Sequence, residues 1–149
     1  MKTFIGIDPG ANGGIAAIST RDGRLVAVAQ KMPETPRDLW EAMRVFSAAD
    51  CFALLENVHA HPKQGVCSVF TFGNGMGMLR MALVAAGIPY EEVSPAKWQR
   101  ALGCLTKGDK NTSKRKAQEL FPAIAVTHAI ADALLIAEYG RRTHSRKEA

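Results

Sequence analysis

Short apolar runs dominate the first third of the chain, and longer, helix-like patterns dominate the rest. Residues 4–7, 14–19 and 25–29 each read as a strand. They are separated by Pro9-Gly10-Ala-Asn-Gly13 and by Arg21-Asp-Gly23, where Asp-Gly supplies the positive φ of a tight hairpin. Pro36 then opens a helix over 37–48, with Leu39, Trp40, Met43 and Phe46 on roughly one face. Residues 51–56 are continuously apolar up to Glu56, as in a central strand covered on both faces. Residues 66–86 read as a long, mostly apolar helix that carries Gly73, Gly75 and Gly77. Each glycine there costs roughly 1 kcal/mol against alanine, which implies close approach by another backbone or a ligand.

Gly87 and Pro89 end that helix, residues 90–93 form a short strand, and Pro95 starts a helix to about Leu102. Residues 103–112 read as a mobile loop, followed by a basic helix N-capped by Ser113 and ending near Phe121-Pro122. A last helix spans about 127–139 with Gly140 as its cap, and residues 143–149 form a basic, frayed tail. The order predicts an α/β domain over residues 1–142, with a five-stranded mixed sheet flanked by helices. Three antiparallel strands lie at one side of the sheet, and a parallel crossover comes later.

Three acids interrupt this apolar pattern. Asp8 ends the first strand before Pro9-Gly10, Glu56 closes the apolar run Phe52-Ala-Leu-Leu-Glu56, and Asp132 lies inside Ala129-Ile-Ala-Asp-Ala-Leu-Leu-Ile-Ala137. A carboxylate in such a setting costs several kcal/mol unless it is paired or bound to a cation. Taken singly, Asp8 could start the turn, Glu56 could pair with a lysine, and Asp132 could cap or form a salt bridge. None of these explains why all three adjoin apolar segments. Convergence on a divalent cation does. His128, four residues before Asp132, projects from the same helix face. Three carboxylates with an imidazole suit two Mg²⁺ ions, or Mn²⁺ in their place. Two such ions about 3.5–4 Å apart can activate a water and stabilise the leaving oxygen of a phosphodiester.

Charge sharpens the picture. Residues 1–94 hold 8 Lys/Arg against 9 Asp/Glu, whereas residues 95–149 hold 11 against 5. A near-neutral half carrying two of the acids, followed by a strongly basic half, suits a partner made of phosphates. The basic segment 97–116 offers Lys107, Lys110, Lys114, Arg115 and Lys116 for phosphate contacts, with Lys107, Lys110 and Lys114 expected nearest the scissile group. At 149 residues, 47% of them hydrophobic, the chain supports one sizeable core. No apolar run approaches the roughly 18 residues of a membrane span, and no signal-peptide layout opens the chain. The three widely spaced cysteines form no CxxC pair, which suits free thiols in the cytoplasm.

Ile5-Gly-Ile-Asp-Pro-Gly10, Leu54-Leu-Glu-Asn-Val58, Phe72-Gly-Asn-Gly-Met-Gly77 and Ala131-Asp-Ala-Leu-Leu-Ile-Ala137, in that order, resemble the RuvC-type crossover junction endodeoxyribonucleases. The small phage-encoded branch, acting in the host cytoplasm, is the nearest in character. The resemblance implies an RNase H-like fold, a homodimer and two Mg²⁺ ions per active site. It also implies symmetric nicking of four-way (Holliday) and branched DNA, leaving 5′-phosphate and 3′-hydroxyl ends. Its catalytic acids map onto Asp8, Glu56 and Asp132. Bacterial members place a fourth ligand three residues before the last Asp. That position is Ala129 here, so His128 is the candidate replacement. Their aromatic junction wedge falls at His59. RNase H-type or ribosomal-RNA-processing nucleases, and a non-catalytic junction-binding protein, remain alternatives on the same fold.

Overall fold

The computed structural model describes residues 1–105 and 107–145. Its five strands are β1 (Thr3–Asp8), β2 (Gly14–Arg21), β3 (Arg24–Lys31), β4 (Cys51–Glu56) and β5 (Tyr90–Val93). The helices are α1 (Pro36–Arg44), α2 (Val66–Ala85), α3 (Pro95–Ala101), α4 (Lys110–Leu120) and α5 (His128–His144). The strands form one mixed sheet in the order β3-β2-β1-β4-β5, the architecture expected from the sequence. β1, β2 and β3 are antiparallel neighbours, and β4 and β5 join in parallel.

The continuous apolar runs are the two central strands, because both of their faces are covered. Ile5, Ile7, Ala53 and Leu55 pack with Leu39, Met43, Leu79 and Leu83 on the α1–α2 side. Leu54 points the other way, into a cluster with Trp98, Ala117, Leu134 and Ile136 from α3, α4 and α5. Strand alternation puts Gly6 and Asp8 of β1, and Glu56 of β4, on that second face. Gly6 allows a very close helix–strand contact: a Cβ there would lie 2.1 Å from the Ala133 carbonyl oxygen of α5. Helix α5 can therefore rest directly on β1.

Three helix boundaries differ from the sequence pattern, the first being α1, which ends at Arg44 and not at residue 48. α4 begins at Lys110, within the stretch read as a loop. Its N-cap is Asp109, whose side chain accepts from the Asn111 amide at 2.9 Å. Ser113 is an equally good cap by type, but the packing of α4 on α5 draws it into the helix interior, where it is buried. α5 continues past Gly140 to His144. A Cβ at Gly140 would lie 2.2 Å from Leu54 Cδ1, so this glycine is a packing contact rather than a cap. The helix thus takes up the start of the expected tail, and residues 146–149 lie outside the described residues. The glycines of α2 have a different setting from the one expected within a single chain: a Cβ at Gly73, Gly75 or Gly77 would meet nothing within 4 Å. Among the described residues, no helix is long and apolar enough to cross a membrane.

Candidate active site

The parallel register of β1 and β4 pairs Gly6 with Leu54 and Ile7 with Leu55. One residue further, Asp8 and Glu56 end adjacent strands on the same sheet face. The loop after β1 folds back tightly, and Gly13 leaves no room for a side chain, since a Cβ would lie 2.0 Å from the Asp8 carbonyl oxygen. Above this end of the sheet runs the first half of α5, whose Ala129 carbonyl would lie 2.6 Å from a Cβ at Gly14. Asp132 follows one turn later and completes the trio.

The electrostatics record their proximity. Burial, the negative charges of Glu56 and Asp132, and a hydrogen bond with Glu56 push the Asp8 carboxyl up to about 8, against an opposing pull from Lys110. Glu56 is also raised, by burial first, although a hydrogen bond from Trp98 opposes the shift. Burial raises Asp132, with the Ser113 hydroxyl, Lys110 and His128 pulling the other way. One buried and two half-buried acids thus share one end of the sheet with too little positive charge. Their oxygen-only chemistry fits hard divalent cations. Among the described residues, no three His, Cys, Asp or Glu side chains are already gathered around one point.

Of the other residues singled out from the sequence, Lys110 has the clearest connection to the acids, since its charge acts on both Asp8 and Asp132. It opens α4, and Lys114 lies on the same side one turn on. Lys107 occupies an exposed turn with φ 46°, just before Gly108. Arg115 points away, 4.0 Å from Asp109, and Lys116 donates to Glu119 at 3.3 Å. His128 is exposed at the first residue of α5 and reaches the acids only through its effect on Asp132. His59 lies exposed in the loop after β4. Cys51, Cys67 and Cys104 are all free thiols, as expected.

Two neighbours of the acids gave no sequence signal. Trp98 of α3 donates its indole Nε1–H to Glu56 Oε1 at 2.9 Å. Ser113 Oγ is buried beside Asp132, close enough to lower its pKa, yet it makes no hydrogen bond of full geometry.

No protein-family model and no curated relative matches the sequence. The architecture, with acids ending two adjacent central strands and a helix laid across them, is that of an RNase H-like α/β protein. Within that class the chain is similar to RuvC of Thermus thermophilus. The structure of that protein in complex with a Holliday junction substrate matches with a TM-score of 0.68, covering 99% of this chain and 96% of that one at 19% identity. A second Thermus thermophilus RuvC structure matches with a TM-score of 0.63, covering 98% and 96% at 20% identity. The likeness spans the whole domain and shows a shared fold.

Proposed function

We propose that the chain is a divalent-metal-dependent endonuclease that resolves four-way and other branched DNA junctions as a homodimer. One observation carries the reading: Asp8, Glu56 and Asp132 are brought together, half or fully buried and short of counter-charge, at one end of a RuvC-like sheet. Asp8 would help to hold two Mg²⁺ ions. Glu56 would complete one site, and Asp132 with His128 the other, with Mn²⁺ able to substitute. When bound, such ions supply Lewis acidity and an activated water for hydrolysis.

The chain's own residues do the rest. Lys110 and Lys114 hold DNA phosphates over the acids, Lys107 extends the track, and Arg115 and Lys116 add attraction further along α4. His59 faces the substrate from the loop beside Glu56. The outer face of α2 supports the dimer: Val66, Phe70, Met81 and Val84 are exposed there beside the open glycine positions 73 and 77. A two-fold junction then meets two active sites.

Cleavage of a synthetic four-way junction, against duplex, flap and RNA–DNA hybrid at equal concentration, tests this. Paired, Mg²⁺-dependent nicks in the junction are expected. Preferential cleavage of the hybrid would assign the fold to RNase H-type chemistry instead.

A further inference from the structure

Glu56 is the longest of the three acids and ends its strand at the rim of the sheet, so its carboxylate has the most rotamers to lose. Asp8 is hemmed in by the Gly13 loop, and Asp132 is fixed to a packed helix. Besides its hydrogen bond with Asp8, Glu56 is constrained from α3. The Asn57 amide donates to the Val93 carbonyl at 2.8 Å, which ties the end of β5 to the residue after Glu56. Pro95 then starts α3 at once, and Trp98 arrives within its first turn. The indole is fully buried, packed in the cluster that includes Leu54 and Ala117. A ring held that firmly cannot turn its N–H elsewhere, and an indole nitrogen only donates. Its 2.9 Å bond engages Oε1.

We infer that Trp98 is a positioning residue, whose indole N–H fixes the Glu56 carboxylate in the orientation that a divalent cation requires. The inference rests on the metal-dependent reading above. Core volume alone would be served by any large apolar ring; donation to an acid would not. Outer-shell partners of this kind alter metal affinity by about 10–100-fold when removed.

Two indole N–H groups exist in the protein, those of Trp98 and of Trp40 on α1. In ¹⁵N-labelled wild type without DNA, Mg²⁺ should move the Trp98 indole cross-peak saturably and leave that of Trp40 in place. Trp98→Phe keeps a ring and removes the donor, and calorimetry should show Mg²⁺ bound about 10–100-fold more weakly. Should that variant not fold, the wild-type cross-peak decides alone. Mg²⁺ binding to the wild type with the Trp98 cross-peak unmoved, or equal affinity in a folded Trp98→Phe, overturns the positioning role and leaves the metal-dependent reading intact. A wild type that binds no Mg²⁺ overturns both.

Discussion

Asp132 and Glu138 lie six residues apart on α5, and packing against the sheet takes both out of bulk water. Glu138 is 2% exposed, yet it accepts hydrogen bonds from the Arg141 guanidinium at 2.7 and 2.9 Å and from Arg142 at 2.6 Å. Burial alone would raise its pKa, but the two arginines outweigh it and hold the carboxyl below its ordinary value. Asp132 has no such partner. Its pKa rises with burial, and the charges of Lys110 and His128 offset only part of the shift. One helix therefore carries a buried acid whose counter-charge is one turn away in its own sequence, and another whose counter-charge has to arrive from outside. The first is architecture. The second belongs to the candidate site.

Several substitutions test how far that contrast holds. The largest effect belongs to Asp8→Asn, which keeps shape and removes the charge beside the other two acids. Several kcal/mol of transition-state stabilisation correspond to roughly 10³-fold in cleavage rate, with junction binding kept within a few-fold. Equal loss of binding and cleavage would make Asp8 a turn residue like any other. Next, the basic face of α4 should make junction affinity fall on the order of 10³-fold between about 50 and 200 mM salt, for about six phosphate contacts. Neutralising Lys110 and Lys114 should flatten that slope more than neutralising Arg115 and Lys116. An equal effect would place the DNA track along the whole helix.

On the architectural side, Glu138→Gln should lower unfolding free energy by about 2 kcal/mol, read by urea denaturation, with cleavage per folded molecule unchanged. The smallest and most diagnostic effect is in pH. Glu138 has a depressed folded pKa, so its stabilisation is present above about 4.5, the unfolded value, and is lost as pH falls below it. Asp8 runs in the opposite sense. With its folded pKa raised to about 8 from 3.8, its contribution is full below 3.8 and is lost as pH rises through about 8. Metal-free protein should therefore melt at a lower temperature at pH 8 than at pH 6. Asp8→Asn should reduce that difference, and Glu138→Gln should leave it in place.

The sequence by itself determined most of the frame. Alternation and continuous apolar runs marked β4 and β5 at their observed limits, because strand burial is written into neighbouring residues. The three acids stood out for the same local reason: each adjoins a run that has to leave water. Position along a helix could also be read, so His128 and Asp132 share a face of α5. What tertiary structure decided lies at longer range. Trp98 meets Glu56 across 42 residues, and only the packing of α3 beside β4 sets that donor against that acceptor. Ser113 looked like a cap until α4 packed on α5, and Gly140 looked like a helix end until Leu54 occupied the place of its Cβ. Which lysine faces the acids was likewise settled by where Asp109 starts α4. Periodicity and turn chemistry act over a few residues. The charge balance of a buried site is fixed by whichever distant side chains the core brings beside it, and in this chain that balance leaves Asp8, Glu56 and Asp132 short of positive charge.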